Sequence, residues 1–379
     1  MPLCLRFGGP AVVQFGELPD AELLDSNEIV VKVHAAALNP IDYKRRQGAL
    51  KFIMKDRWYP HDSWVDYGVL LIKFLYFRRP EIVGYDVSGV VASCGASVTK
   101  FRVGDEVYGM LPHDRMGALA EYAVNSGMRE KESPKVTTAS ICQTRCRPRE
   151  PSNLTHAQAA ALPLVAITSL HAFRQHKLEE GKKVLITGGA GGVGTIAIQL
   201  AKQVFKASKV ATTASSKKID KLKQLGADEV VDYNRETFER ELAEYDFALD
   251  CTAEARRCFE CITRGGTVVS IAETPGASAL QGKESYGVQL SGFVSFVLNC
   301  LSNSVAKAAR RAQIEYDVFF AIGDGEALDE IRDLCEAKTI VPVIDRVFEF
   351  DKADAAIEYL ELGHATGKVV VEIAAQEAT

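Results

Sequence analysis

The spacing of apolar residues along the chain predicts two regions that differ in architecture. In the first third, short apolar stretches alternate with polar residues and are interrupted by Gly, as in residues 28–38 (EIVVKVHAAAL) and 81–95 (EIVGYDVSGVVASCG). A period of two is typical of β-strands that bury one face. This part of the chain is therefore predicted to form a tightly wound β-rich unit.

Helical spacing replaces this pattern after Ser152, in a segment that opens with Ser152 or Asn153 as a plausible helix cap. From Lys183 onwards, apolar strands alternate with amphipathic helices across short turns, as far as residue 272. Such alternation predicts an α/β fold whose parallel sheet is covered by helices on both faces. From about Tyr316 the chain returns to mixed helices and strands.

Two segments, 59–80 and 136–150, have neither clean periodicity nor the turn residues of their surroundings. We interpret both as loops inserted into the β-rich unit. The second contains Cys142 and Cys146, but a structural zinc site needs four ligands and no second pair lies nearby. These two thiols are therefore predicted not to bind a metal.

Composition limits the class of protein and its partners. The chain has 379 residues, 47% hydrophobic and 25% charged, with a net charge of −5, which argues against nucleic acid or an anionic membrane as a partner. Its longest apolar run, residues 68–77, is interrupted by Lys73 and is too short to span a bilayer. Nine scattered Cys residues and no recognisable leader pattern lead us to expect a cytoplasmic protein with reduced thiols.

The strongest functional signal is a glycine-rich loop within residues 183–202 (KVLITGGAGGVGTIAIQLAK). Gly189, Gly191 and Gly194 form a GxGxxG pattern between a predicted strand and a predicted helix. Gly189 is expected to permit the tight turn, Gly191 to let the backbone approach a pyrophosphate, and Gly194 to allow close packing of helix on strand. The strand, the helix and the units that follow together predict a dinucleotide site.

The residues after the next strand indicate which dinucleotide binds. Folds that select NAD usually place an acid at the end of this strand, whereas residues 212–218 read TTASSKK and no carboxylate appears before Asp220. Hydroxyl and ammonium groups suit the 2′-phosphate of NADPH. An ordinary helix start, with Ser as its cap and Lys facing water, is the alternative interpretation.

Several stretches in order resemble the medium-chain dehydrogenase/reductase superfamily and, within it, the zinc-independent quinone oxidoreductase and alkenal reductase-like group. They include LNPIDYKRRQG (38–48), GYDVSGVV (84–91), VGDEVYGM (103–110), GGAGGVG (188–194) and the C-terminal segment 342–371. The resemblance implies a GroES-like β-rich catalytic domain built from both chain ends, residues 1–163 and 311–379. It implies a Rossmann domain, a doubly wound parallel sheet, over residues 164–310.

The resemblance also bears on metal binding. Zinc-dependent relatives carry a Cys ligand where this chain has Asn39, and His and Glu where it has Tyr85 and Asp86. An amide and a phenol are poor zinc ligands beside thiolate and imidazole, so no metal is expected. Oxidation of an alcohol, which zinc assists, is then disfavoured, and the expected substrate is an electrophilic small molecule that accepts hydride from NADPH.

A quinone or an α,β-unsaturated carbonyl would be such an acceptor. A trans-2-enoyl thioester reductase and a non-catalytic NADPH-binding protein, crystallin-like or regulatory, are the alternatives. Homodimers are common in this family, so the resemblance also implies that the chain forms a homodimer.

The residue roles implied by the resemblance fall into two groups. Candidate hydrogen-bond donors to the developing oxyanion are Asn39, Lys44, Tyr43 and Tyr85, although Asn39 before a Pro also suits a simple turn. Asp42 is expected to anchor the loop through backbone hydrogen bonds rather than to move protons. The implied cofactor contacts are Thr168, Gly189, Ala190, Gly191, Gly192, Val193, Gly194, Ser215, Lys218, Tyr233, Ile271 and Lys368.

Overall fold

The structure is a computed structural model that describes residues 1–4, 8–17, 21, 23, 25–48, 81–112, 117–126, 141–143, 154–277 and 292–373. The inserted segment 59–80 lies outside these residues, and only 141–143 of segment 136–150 lies inside them. None of the helices in the described ranges is long and apolar enough to cross a membrane.

The chain divides into two compact units. The first comprises Met1–Leu164, Gly323–Asp329 and Ile344–Thr379, and the second comprises Val165–Ile322 and Glu330–Val343. The second unit therefore extends beyond the predicted domain end at residue 310, because the last strand of its sheet follows that position.

Strands and helices of the described residues follow the alternation seen in the sequence. The strands are β1 (Pro2–Cys4), β2 (Val13–Phe15), β3 (Glu28–Leu38), β4 (Glu81–Ile82), β5 (Asp86–Cys94), β6 (Glu106–Met110), β7 (Tyr122–Ser126), β8 (Ile141–Gln143), β9 (Lys183–Ile186), β10 (Lys209–Ala214), β11 (Glu229–Asp232), β12 (Tyr245–Asp250), β13 (Ile262–Ser270), β14 (Glu315–Val318), β15 (Ile344–Glu349) and β16 (Lys368–Glu372). The α-helices are α1 (Pro40–Arg46), α2 (His156–Ala160), α3 (Pro163–Gln175), α4 (Gly192–Gln199), α5 (Ile219–Gln224), α6 (Phe238–Glu241), α7 (Ala255–Cys261), α8 (Gly292–Ala312), α9 (Gly325–Glu336) and α10 (Ala353–Glu361).

The second unit is built on a six-stranded sheet with the order β11-β10-β9-β12-β13-β14, in which all neighbours are parallel. Numbered within the sheet, this is the order 3-2-1-4-5-6 of the doubly wound dinucleotide-binding fold. The strand order reverses between β9 and β12, and ligands of such sheets bind outside the carboxyl ends of the strands at this switch point. The predicted Rossmann sheet is confirmed.

The first unit contains a mixed seven-stranded sheet with the path β15-β16-β3-β5-β6-β8, and β7 also pairs with β3. A smaller antiparallel sheet joins β2, β1 and β4. The predicted strand 28–38 is confirmed as β3, but its Val and Ala residues are buried almost without interruption rather than on one face alone. Its residues contribute to two separate buried clusters, as in a strand that is covered on both faces. β16 pairs antiparallel with β3, with Val369 opposite Leu38, so the C-terminal segment completes the N-terminal sheet.

Each unit has its own apolar core. In the first, Val31, Leu38, Val87 and Val369 are among the residues of one buried cluster. In the second, a separate cluster lies on the parallel sheet and includes Leu185, Ala248, Phe259 and Val268.

One predicted helical stretch differs in the structure. The helical stretch after residue 152 is split into α2 and α3, because Pro163 has no N–H to continue a helix but is well suited to begin one. Thr155 caps α2 by accepting a hydrogen bond from the Gln158 N–H, whereas the caps proposed from the sequence, Ser152 and Asn153, lie outside the described residues.

Candidate active site

The glycine-rich loop connects β9 to α4 at the switch point of the parallel sheet. Its left-handed residue is Gly188, with φ of +64°. The tight turn was predicted at Gly189 and therefore occurs one residue earlier than expected. Gly189 is needed for another reason, since a Cβ atom there would overlap the Thr212 hydroxyl of β10. Gly194 meets the loop backbone closely, with an added Cβ 2.6 Å from the Gly188 carbonyl oxygen.

Gly191 differs from these three glycines because the protein leaves the space beside it open. The nearest atom to an added Cβ at Gly191 would be the Gly188 carbonyl oxygen at 3.4 Å, an ordinary contact. Gly191 directly precedes α4, whose first N–H groups have no intrahelical acceptor. An open backbone surface at a helix N-terminus fits the pyrophosphate of a dinucleotide, with Gly192 and Val193 in the first turn of the helix and Ala190 in the loop.

Ser215, Lys218 and Tyr233, predicted to bind the adenosine phosphate, follow the ends of two adjacent strands. Ala214 pairs with Asp232 across β10 and β11, and the Tyr233 N–H donates to the Ala214 carbonyl oxygen at 3.2 Å. The three predicted residues therefore lie at the same edge of the sheet. The Tyr233 side chain is 60% exposed, which leaves its ring open to a ligand.

Asp232, at the end of β11, was missed by the sequence analysis. The Ser216 hydroxyl donates to its carboxylate, as do the Asn234 N–H at 3.1 Å and the Asn234 amide at 3.0 Å. These hydrogen bonds, that of Ser216 first, lower the pKa of Asp232 and keep it ionised. An acid that holds the ribose of NAD is expected at the end of the second strand, whereas this carboxylate lies at the end of the third.

A second missed residue, Asp250, organises the carboxyl ends of three strands. It ends β12 and is fully buried, accepting hydrogen bonds from the Thr187 hydroxyl at 3.0 Å and from the Ser270 hydroxyl at 2.8 Å. Its carboxylate also accepts from the backbone N–H groups of Thr252 and Glu254. One side chain thus holds the starts of the loops that leave β9, β12 and β13. The sequence signal that could have identified Asp250 is an Asp at the end of an apolar strand, in FALDCT (247–252).

Two residues predicted to approach the nicotinamide end also belong to this unit. Ile271 follows β13 and donates its N–H to the Asp250 carbonyl oxygen at 3.0 Å, so its position depends on the same strand end. Thr168 lies within α3 and is buried.

In the first unit, the predicted residues Asn39 and Lys368 meet at a buried polar cluster with Asp86. The Lys368 ammonium donates to Asn39 Oδ1 at 2.6 Å and to Asp86 Oδ2 at 2.8 Å. The Asn39 amide nitrogen donates to Asp86 Oδ2 at 2.9 Å, and Asp86 Oδ1 accepts from the Leu164 N–H at 2.9 Å. Lys368 begins β16 and Asn39 follows β3, so the pairing of these strands brings them together.

The structure gives Lys368 contacts that the resemblance does not indicate. The resemblance assigns it to the cofactor, whereas its side chain is 4% exposed and its ammonium is bound to Asn39 and Asp86. The antiparallel pairing of β16 with β3 buries the side chain among polar groups of its own unit.

Asp42 extends the cluster along the chain. Its carboxylate accepts the Asn39 N–H at 2.8 Å and the Gly84 N–H at 3.1 Å, which confirms its predicted role as a loop anchor. Burial raises the pKa of Asp42 to about 7, and the Asp86 charge adds to the rise. The two backbone N–H groups and the Lys368 ammonium oppose it, but desolvation is the largest effect.

The remaining candidate donors have different environments. Tyr85 is fully buried, and its hydroxyl accepts a hydrogen bond from the Arg45 guanidinium at 3.4 Å. Tyr43 is half-buried against the apolar core, and burial, with the Glu361 charge, raises its pKa. Lys44 is exposed on α1. Asn39 and Tyr85 therefore form part of the scaffold, whereas Tyr43 and Lys44 keep access to solvent.

The donor atoms of this cluster do not fit a zinc ion. Asn39 Oδ1 binds an ammonium, both Asp86 oxygens accept hydrogen bonds, and the Tyr85 hydroxyl accepts one from Arg45. Zinc requires thiolate, imidazole or carboxylate donors with lone pairs directed at one point. Within the described ranges, no group of three or more His, Cys, Asp or Glu side chains could hold a metal ion.

Comparison with known proteins agrees with both units. Residues 25–129 match the family described as alcohol dehydrogenase GroES-like domain, and residues 225–371 match the family described as zinc-binding dehydrogenase. The 2-methylene-furan-3-one reductase of Solanum lycopersicum is 33% identical over 357 residues, which cover 92% of this chain and 72% of that protein.

Two further proteins extend the comparison. The chloroplastic NADPH-dependent alkenal/one oxidoreductase of Arabidopsis thaliana is 31% identical over 373 residues, covering 96% of this chain and 77% of that one. Among solved structures, the quinone oxidoreductase from Coxiella burnetii superposes with a TM-score of 0.75 at 29% identity and covers 98% of both chains.

Proposed function

Because the chain belongs to the medium-chain dehydrogenase/reductase superfamily, in its quinone and alkenal oxidoreductase group, we propose that it is a metal-independent NADPH-dependent reductase. Its substrate would be a quinone or an α,β-unsaturated carbonyl. The observation that carries the proposal is the open backbone at Gly191, at the N-terminus of α4 and at the switch point of the sheet.

The preference for NADPH rests on the edge formed by Ser215, Lys218 and Tyr233. An ammonium and two hydroxyl groups complement a 2′-phosphate, and β10 is not followed by an acid that would hold the ribose hydroxyls of NAD. Asp232 lies nearby, but the hydrogen bond from Ser216 binds its carboxylate within the protein. The net effect proposed is selection of the phosphorylated cofactor.

The proposed acceptor is supported by the bonds of Asn39, Tyr85 and Asp86, whose donor atoms do not fit a zinc ion. Removing the hydroxyl proton of an alcohol is difficult without a Lewis acid, whereas an electron-poor alkene or quinone accepts hydride directly. NADPH, when bound, supplies that hydride. With an enone, the hydride would go to the β-carbon, the electron pair to the carbonyl oxygen, and a proton to the α-carbon.

The chain's own contribution would be to orient the acceptor and to stabilise the developing enolate or hydroquinone oxygen. Lys44 and Tyr43 on α1 are the proposed hydrogen-bond donors, because their side chains reach solvent. Asn39 and Tyr85 would act indirectly, by fixing the segment from which α1 begins.

One experiment tests these proposals together. The purified protein would be titrated with NADPH and NADH by fluorescence and then offered a benzoquinone, a 2-alkenal and a crotonyl thioester, with and without a chelator. We expect tighter binding of NADPH and chelator-insensitive reduction of the quinone or the alkenal. Preference for the thioester would identify an enoyl thioester reductase, and binding without turnover would identify a non-catalytic NADPH-binding protein.

Oxidation of an alcohol that stops with chelator would contradict metal independence. The homodimer and the cytoplasmic location stay predictions.

A further inference from the structure

The buried cluster of the first unit contains a cation that belongs to the chain itself. Lys368 Nζ lies 2.6 Å from Asn39 Oδ1 and 2.8 Å from Asp86 Oδ2, and all three side chains are almost fully buried. Oxygen atoms of an amide and a carboxylate that converge on one point are the arrangement that usually surrounds a bound ion. Here the point is occupied by an ammonium.

We propose that Lys368 is the resident cation of this site, a positioning residue that holds Asn39 and Asp86 where a metal-dependent relative would hold an ion. The inference deepens the proposed metal independence and rests on it. The resemblance gives Lys368 a contact with the cofactor instead, and the affinity for NADPH distinguishes the two roles.

The hydrogen bonds show how far the effect of this cation extends. Lys368 binds Asn39, and the Asn39 N–H donates to Asp42 at the start of α1. Asp42 in turn accepts a hydrogen bond from the Gly84 N–H. Through Asp86 the Lys368 ammonium reaches the Leu164 N–H. The ammonium therefore fixes the beginning of α1 and the turn that carries Tyr85.

Charge explains why a cation is needed and why it is a lysine. Asp42 and Asp86 are both buried, and two carboxylates close together in a medium of low polarity destabilise each other. An ammonium is a compact charge with three donors, and it can bond two oxygen atoms at one point, whereas a planar guanidinium spreads its charge. A covalently attached cation also cannot be removed by a chelator.

The test uses the full chain and a double-mutant cycle of Lys368→Met and Asp86→Asn, with Lys352→Met as the control for an exposed lysine. Methionine keeps the length of the side chain and removes its charge. We expect Lys368→Met to raise the unfolding constant on the order of 10²–10³-fold, because Asp86 then stays buried without its counter-charge. The control should change it by less than threefold.

Coupling between the two positions decides the proposal. Multiplying the effects of the two single substitutions gives the unfolding constant expected if the positions are independent. We expect the unfolding constant of the double variant to be at least tenfold smaller than this product, because the double variant removes both charges together. A double variant whose unfolding constant equals this product would overturn the inference. If Lys368→Met does not accumulate as folded protein, recovery of folding in the double variant supports the pairing, and failure of both counts against it.

NADPH affinity separates this role from cofactor binding and from the proposed reductase function. Fluorescence titration of Lys368→Met should give a dissociation constant for NADPH within threefold of wild type. Weakening by tenfold or more with unchanged stability would show that Lys368 contacts the cofactor and would refute the proposal. Because unfolding is measured without substrate, this result does not depend on whether the protein is a reductase.

Discussion

Gly194 lies directly against Gly189, so that a Cβ atom on Gly194 would stand 2.5 Å from the Gly189 Cα atom. Real Cβ atoms are not found so close to a backbone carbon. Helix α4 can therefore meet the glycine-rich loop only where residue 194 lacks a side chain, and this contact sets the direction in which the helix N-terminus points. A side chain at residue 189 is excluded separately, by Thr212 on β10.

This contact predicts opposite outcomes for two similar substitutions. Gly194→Ala should destabilise the protein by about 3 kcal/mol or more, because the added methyl group overlaps backbone that cannot move aside. Gly191→Ala should change the melting temperature little, because its nearest contact would be an ordinary 3.4 Å, yet it should weaken NADPH at least tenfold by filling the space left for the pyrophosphate. Thermal unfolding and fluorescence titration of both variants measure the contrast.

Unchanged NADPH affinity in Gly191→Ala would show that the pyrophosphate does not approach this residue.

The proposed 2′-phosphate site predicts a change in cofactor preference. Lys218→Ala should weaken NADPH about tenfold and NADH less than twofold, because only the phosphorylated cofactor loses a charge-assisted contact. Lys182→Ala is the control, since this partly exposed lysine precedes β9 at the opposite end of the sheet. The test is to measure the dissociation constants of both cofactors at one salt concentration. Equal weakening of NADPH and NADH binding would contradict the proposed contact between Lys218 and the 2′-phosphate.

Asp250 and Asp246 belong to the same strand and give a matched pair. Asp250→Asn should destabilise the protein by about 2–3 kcal/mol and weaken NADPH, because one acceptor is lost where three strand ends are joined. Asp246 accepts the Lys183 N–H at the amino end of the sheet, so Asp246→Asn should lower stability without changing NADPH affinity. Urea unfolding and cofactor titration separate the two effects, and equal effects on affinity would refute the role of Asp250.

Signals that are local in sequence predicted most of the fold. The β-branched run of β3 and the strand-loop-helix around Gly191 each lie within one stretch of chain, and both elements form as predicted. The alternation expected of β3 does not appear in its burial, which is nearly continuous. The position of the tight turn was wrong by one residue because Gly188 and Gly189 are adjacent, and sequence alone does not show which one takes the left-handed conformation.

The buried cluster could not be predicted in this way. Lys368 and Asn39 are 329 positions apart, and only the antiparallel pairing of β16 with β3 brings them into contact. Asp250 likewise acquires its role from Thr187 and Ser270 on neighbouring strands. A motif indicates the chemistry of a residue, whereas its hydrogen-bond partners depend on strand order and register.

Asp42 makes the stability of the first unit depend on pH. Burial raises its pKa from 3.8 to about 7 in the folded protein, so the folded state holds a proton that the unfolded chain has released. The stabilising contribution is complete below about pH 4 and is lost as the pH rises towards 7. The free energy of unfolding should fall over this window by up to about 1.4 kcal/mol per pH unit from this group.

Asp42→Asn removes the titration while keeping the shape of the side chain. Its amide offers one acceptor instead of two, so the Asn39 N–H or the Gly84 N–H loses its partner and the variant should be less stable at pH 5 by about 1–3 kcal/mol. The deficit should narrow as the pH rises to 8, because only the wild type loses the proton. Urea unfolding at four pH values, with Asp354→Asn on the exposed face of α10 as the control, measures both slopes. A deficit that stays constant from pH 5 to pH 8 would show that Asp42 is already ionised throughout this range, and burial would then not be the dominant influence on its charge.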